Sequence, residues 1–290
     1  MITPAVLLVF ALQYIPMTGL ILAFKNYRFN LRIFRSAWNG FDNFRFLFLS
    51  GDGFRITRNT ILYNLLNLFT SQGLAVIIAI AISEMRGKGL LERFCQSAIF
   101  LPYFISWVIV GTFVFNIFNY ETGLMNNFLR TMGMEPVNMY SKPMAWPFII
   151  CAFNAWKWCG YNSVIYIAAI TTIDQECYEA ADIDGANIFQ KIWNITLPFI
   201  RPTIIIMLLL QVGRILRGDF EMFYQIVGNN GQLFNATDVI DTYVFRSLMS
   251  SGANIGMTAA ASLYQSVLCF IIIITVNHIV RKVEAEYALF

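Results

Sequence analysis

The sequence predicts an all-α membrane protein with six transmembrane helices, and three observations carry that prediction. Of its 290 residues, 58% are hydrophobic and 13% are charged, about half the charge expected of a soluble domain. The apolar residues gather into blocks near the roughly 20 residues that a helix needs to cross a hydrocarbon core. The blocks are also apolar on every face, whereas a helix on the surface of a soluble core keeps one polar face. They fall at about residues 4–24, 60–83, 95–118, 146–171, 199–216 and 257–280.

The first block has no Lys or Arg ahead of it and no small-residue cleavage site behind it, running instead into Lys25, Asn26, Tyr27 and Arg28. It therefore reads as a first span and not as a secretory signal, one that a short basic leader would suit. The connection 25–58 follows, with seven basic residues against Asp42 and Asp52. Such a surface attracts an anionic partner: an acidic oligosaccharide, the acidic rim of a binding protein, or anionic lipid headgroups. The second block, 60–83, carries no charge, and a compact charged connection, 84–94, leads into the third. The connection 120–145 is punctuated by Gly133, Pro136 and Pro143.

The fourth block holds Lys157 near its middle. An ammonium at that depth costs about 2.5–3.5 kcal/mol, so intramembrane charges are either paired or functional. Trp156, Trp158, Tyr161 and Asn162 flank it, and aromatic faces with amide and hydroxyl edges suit sugar rings. Two readings stay open: Lys157 lines a solute path, or it pairs with an acid of a partner subunit. The fifth block ends in Gln211-Val212-Gly213-Arg214-Ile215-Leu216-Arg217-Gly218-Asp219-Phe220-Glu221. Broken helices at membrane depth usually line a binding site. Arg214, Asp219 and Tyr224, with Gln265 on the sixth span, are the candidates there. Arg214 and Arg217 could equally be structural, paired with Asp219 or Glu221.

Between the fourth and fifth blocks, residues 174–198 form a short polar segment. Asp174 or a neighbouring residue is placed to cap a helix through Glu179–Ile183. Gly185 sits at a chain reversal, where positive φ is cheap only for glycine. A helical pattern resumes at Ala186–Ile195, with Phe189, Ile192 and Trp193 on one face. Pro198 then opens the fifth span. Asp174, Glu176, Glu179, Asp182 and Asp184 face the single base Lys191. An interfacial helix on anionic lipid would be basic, so this acidic knob with small alanines suits a protein cleft.

Glu179-Ala180-Ala181, Asp184-Gly185-Ala186 and Ile195-Thr196-Leu197-Pro198 resemble the EAA loop of ABC importer permeases. The chain further resembles the carbohydrate branch of that family, the LplB-like polysaccharide or oligosaccharide permeases. The residues that carry this are Tyr14-Ile15-Pro16-Met17, Phe100-Leu101-Pro102-Tyr103-Phe104-Ile105-Ser106-Trp107, Asp238-Val239-Ile240-Asp241-Thr242-Tyr243-Val244 and the tail Ala288-Leu289-Phe290. The resemblance implies a type I ABC importer permease (MetI/MalF-like) fold in one transmembrane domain, 1–290, in the bacterial inner membrane. It implies that 174–198 is the cytoplasmic coupling loop, in which Glu179 pairs with a base of an ATPase, Ala180 and Ala181 allow close approach, and Gly185 sets the turn; Asp184 and Pro198 belong to the same motif. The implied partners are a second homologous permease, two ATPase subunits, an extracellular binding protein, a carbohydrate substrate and membrane lipid, with no nucleic acid.

The resemblance also fixes orientation against the charge count. Arg86, Lys88, Arg93, Lys191, Arg201, Arg281 and Lys282 lie on the face of the short connections, and twelve bases lie on the other. Counting alone would put the long connections inside, whereas the coupling loop requires them outside.

No phosphate-cradling G-x-x-x-x-G-K-[ST] motif is present. No cofactor is therefore expected on this chain, and ATP with Mg2+ is expected on the partner. An intramembrane enzyme would need paired acids or metal ligands within the spans. His278, the only histidine, stands beside Arg281 and Lys282 as an interfacial residue, and the five cysteines form no C-x-x-C pair. The remaining alternatives are a permease for a non-sugar solute and a stand-alone secondary carrier; the latter would be active alone.

Overall fold

The structure is a computed structural model that describes residues 2–49, 51–85, 89–249 and 254–283. Arg86, Lys88, Ala288, Leu289 and Phe290, which entered the charge count and the resemblance, lie outside the described residues. In chain order come α1 (Thr3–Phe24), a ribbon of β1 (Lys25–Asn26) and β2 (Ala37–Trp38), α2 (Asp42–Leu49), α3 (Asp52–Ser83), α4 (Leu90–Phe104) and α5 (Trp107–Phe118). Then follow α6 (Leu124–Thr131), α7 (Trp146–Thr171), α8 (Gln175–Ile183), α9 (Ile188–Val212), α10 (Phe220–Val227), α11 (Ile240–Met249) and α12 (Ile255–Val283).

The structure differs from the six expected apolar blocks in three details. First, among the described residues α1, α3, α9 and α12 are by themselves long and apolar enough to cross a membrane, with a fifth if α4 and α5 count as one span. The expected fourth span, α7, has the length, at 26 residues, but it carries the buried polar side chains Asn154, Lys157, Asn162 and Ser163.

Second, the third span is not one helix: α4 and α5 meet at 93°. Pro102 has no N–H to continue an α-helical ladder, and the chain tightens to a 3-10 turn over Leu101–Phe104. Ile105 is extended, and the Ser106 hydroxyl accepts from the Ile109 N–H at 3.4 Å to start α5 afresh.

Third, the fifth span starts at Ile188, capped by Asn187, and not at Pro198. Its helix passes through Pro198 by a π-helical stretch, Ile192–Thr196, where the Leu197 N–H reaches the Ile192 carbonyl. The five-residue step adjusts the ladder just ahead of the residue that cannot donate.

Three clusters of buried apolar side chains hold the helices. One joins Trp107, Val110 and Val114 of α5 to Trp146 and Ile150 of α7 and to Met222, Phe223 and Ile226 of α10. A second joins Ile56 of α3 and Leu216 to Ile240 and Tyr243 of α11 and to Met257 and Ala261 of α12. The third, at the far end of α3, joins Ala75 and Ala79 to Tyr166 and Ile170 of α7 and Ile200 of α9. Fully burying a side chain of this size contributes about 1.5–3 kcal/mol in water. Between lipid-facing helices close packing replaces that drive, and Gly160 shows it: a Cβ there would collide with the Ile99 carbonyl of α4. By contrast, residues 3–18 of α1 are exposed.

The long connections are fixed by polar contacts. Buried Asp238 receives both guanidinium nitrogens of Arg246, at 3.1 and 2.6 Å, and Arg55 at 3.5 Å. From α3, Asn59 donates to the Asp238 carbonyl at 3.0 Å, and Tyr63 donates to the Ala236 carbonyl at 2.9 Å. This end of α3 lies opposite the end that carries the 174–198 segment.

Candidate functional site

Two features stand out, and one helix joins them. The first is a cavity of about 380 Å³ at the end of α9. From α3 it takes Asn64, Asn67 and Ser71, and from α7 Asn154, Trp158 and Asn162. From the broken end of α9 come Gln211, Arg214, Arg217, Gly218 and Asp219.

The polar walls are tied together. Asn162 donates to the Ser71 hydroxyl at 3.0 Å, and Asn64 donates to the Arg217 carbonyl at 3.2 Å. The buried Asn67 Oδ1 has no hydrogen-bond partner. Asp219 accepts from the Met222 N–H at 3.1 Å, which caps α10, and from Trp107 Nε1 at 3.0 Å. Among the described residues neither Arg214 nor Arg217 forms an ion pair, with Asp219, Glu221 or any other acid.

Of the residues singled out in the sequence for a solute path, Trp158, Asn162, Arg214 and Asp219 meet in the cavity, and Trp156, Lys157, Tyr161, Tyr224 and Gln265 do not. Lys157 is 6% exposed. Its Nζ donates to the Tyr103 carbonyl at 2.9 Å and to the Ile105 carbonyl, and it lies 5.3 Å above the Trp107 ring. It lies outside the cavity wall and, among the described residues, forms no ion pair; it satisfies carbonyls that the α4–α5 bend leaves without helical donors. Tyr161 stacks on Tyr103 at 4.5 Å, and Trp156 packs edge-on to Phe153 at 6.3 Å. Tyr224 stacks on Phe220 and meets Phe245 edge-on. Gln265 donates to the Leu216 carbonyl at 2.5 Å and to Asp241 at 3.1 Å, while Asp241 also accepts from the Gly218 N–H at 2.6 Å. Gln265 thus holds the break at the end of α9 from behind.

Sequence reading missed Asn64, Asn67 and Ser71, although a signal was present. Thr60, Asn64, Asn67 and Ser71 follow helical spacing on one face of an otherwise apolar span, and an absence of charge hid them. Asn154, Trp158 and Asn162 repeat the pattern on α7.

The second feature is the connection from α7 to α9. Asp174 caps α8 by accepting from the Glu176 N–H at 3.1 Å. Gly185 has φ +76° and closes α8, with the Ala186 N–H on the Ala181 carbonyl at 2.9 Å. Asn187 and Gln190 form a capping box at 2.9 and 2.8 Å. Glu179, Ala180 and Asp184 are exposed and Ala181 is half-buried, while Ile183 is 87% and Phe189 83% exposed.

The segment is anchored from below. Tyr178 and Thr196 hydroxyls meet at 2.9 Å, and Ile173, Tyr178, Ile195 and Leu197 pack into the third cluster. The Lys191 ammonium reaches Asp182 at 2.8 Å.

A family model for the binding-protein-dependent transport system inner membrane component matches residues 71–285. Protein LplB of Bacillus subtilis (strain 168) is 35% identical over 286 residues, spanning 99% of this chain and 89% of LplB. The polygalacturonan/rhamnogalacturonan transport system permease protein YteP of the same organism is 30% identical over 99% of this chain and 88% of YteP. Among solved structures, a bacterial alginate ABC transporter in complex with an alginate pentasaccharide-bound periplasmic protein contains a chain 34% identical to this one. It superposes with a TM-score of 0.86, covering 98% of this chain and 93% of the other.

Proposed function

The chain belongs to the family of binding-protein-dependent transport system inner membrane components, and from that premise we propose that it is a permease subunit of an ABC importer for an oligosaccharide or polysaccharide fragment. The chain forms half of a translocation pore in the bacterial inner membrane. Its relatives include permeases named for polygalacturonan/rhamnogalacturonan and arabinooligosaccharides, and a solved alginate importer. ATP and Mg2+ belong to a separate ATPase, and an extracellular binding protein delivers the sugar.

The observation that carries this reading is the single helix between the two features. From Ile188 to Val212, α9 runs 25 residues, about 37 Å at 1.5 Å per residue. It begins at the exposed coupling connection and ends in the cavity wall. Glu179, Ala180, Ala181 and Asp184 give the connection an acidic face with small residues, and Ile183 and Phe189 add apolar area for a partner to cover. Gly185 and the caps at Asp174 and Asn187 fix its shape. The hydrogen bond between Tyr178 and Thr196 ties it to α9, so a push on α8 moves the helix and not a loose loop. The wall then shifts with it, which couples a partner's ATP cycle to solute access.

The test is uptake of labelled oligosaccharide and ATP hydrolysis by the assembled importer. Gly185→Asp and Glu179→Lys are expected to leave the chain inserted and to uncouple hydrolysis from uptake. Normal uptake in both variants would refute the coupling role, and activity of the purified chain alone would favour a secondary carrier.

A further inference from the structure

We propose that the cavity takes a carboxylate-bearing oligosaccharide, with Arg214 and Arg217 pairing to its sugar carboxylates. This assignment rests on the importer reading above and names the charge class of the solute.

The cavity wall carries two cations and one acid. The one acid, Asp219, leaves the wall net positive, and its two oxygens accept from the Met222 N–H and Trp107 Nε1 and not from either arginine. Glu221, in the first turn of α10, is not part of the wall. Both guanidiniums are exposed and, among the described residues, form no ion pair within 4 Å; Asp241 lies near enough to Arg217 to interact with it electrostatically, but its carboxylate is held by the Gly218 N–H and Gln265. They leave the same turn, since the Arg217 N–H reaches the Arg214 carbonyl at 2.8 Å, and side chains three apart on a turn are neighbours. Unpaired cations at membrane depth are costly. A planar guanidinium offers paired donors that match a carboxylate, which a hydroxyl-only sugar cannot reproduce.

The rest of the wall fits the remainder of such a sugar. Asn64, Asn154 and Gln211 present amides for ring hydroxyls, and Asn67 Oδ1 is an acceptor still without a donor. Trp158 offers a ring. Apart from Asp219, the polar part of the wall is thus neutral except at one turn, where it is positive.

The test uses the complete importer, reconstituted with its second permease, ATPase and binding protein in liposomes. The probes are short oligomers of galacturonate, glucuronate and mannuronate, each compared with its carboxyl-reduced neutral counterpart. The expected result is import of at least one acidic oligomer over its neutral form. Arg214→Gln with Arg217→Gln should lower that import about 10- to 100-fold, the size expected for losing charge-assisted hydrogen bonds. Import of any neutral oligomer should change much less.

Import of neutral oligomers alone would overturn the charge assignment and leave the carbohydrate reading standing. An unchanged ratio of acidic to neutral import in the double variant would also overturn it. So would loss of the second permease from the purified double variant, which would assign both arginines to the subunit interface. ATP hydrolysis with no import of any oligomer would sink the carbohydrate reading, and this assignment with it.

Discussion

Replacing Lys157 by Met should destabilise the chain without touching the cavity. In the structure the ammonium satisfies the carbonyls of Tyr103 and Ile105 at the bend between α4 and α5. Met fills similar volume and donates nothing. A buried polar group left without its partner costs about 1–3 kcal/mol, so about 2–6 kcal/mol for the two carbonyls. Loss of the cation above Trp107 adds about 0.5–2 kcal/mol. The cost of carrying an ammonium into the bilayer does not offset this, because an unfolded but inserted chain bears it too.

The assay is thermal unfolding in detergent, followed by the reaction of a thiol-specific dye with Cys151 and Cys159, which are free and buried in the folded chain. The midpoint for Lys157→Met should fall by several degrees, and Lys157→Arg, which keeps donors at that place, should recover part of the loss. A Lys157→Met chain as stable as the parent would refute the carbonyl-capping argument. Equal damage from Arg and Met would show that shape, and not donation, sets the requirement.

Three further outcomes follow from the same geometry. Gly160→Val should drive a methyl-bearing carbon into the Ile99 carbonyl and cost about 1–3 kcal/mol by overpacking, read as a lower unfolding midpoint; an unchanged midpoint would show that α4 does not lie this close. Asp238→Ala leaves Arg246 and Arg55 without their shared buried carboxylate, at a cost of about 3 kcal/mol before discounting for the partly exposed guanidiniums; proteolysis of residues 228–249 should speed up, and unchanged protection would refute the role of this contact. Phe189→Ala should leave the midpoint of the isolated chain unaltered, since the ring is 83% exposed, yet reduce the ATPase that copurifies with it; full copurification would remove Phe189 from the docking surface.

How far the sequence could be read depended on the range of the signal. The connection 174–198 was legible because its determinants are local: Asp174 caps a helix two residues away, Gly185 takes a φ that its neighbours would resist, and Asn187 and Gln190 close a box over three residues. The motif match in the same residues pointed to the family. Lys157, Gln265 and Tyr224 lie outside the cavity wall, which the sequence could not show because intramembrane polarity marks a residue as constrained without naming its partner. Lys157 meets carbonyls 52 and 54 positions away, and Gln265 meets one 49 positions away.

The sequence by itself determined that the chain lives in a membrane, which family it resembles, and the shape of the connection 174–198, since composition and short-range hydrogen bonding suffice for all three. Only the tertiary structure decided that the third span is bent and that α9 runs from that connection to the cavity. It also decided which polar side chains face the cavity. In an apolar medium every buried donor and acceptor must find a partner, and packing between distant segments, not spacing along the chain, chooses which.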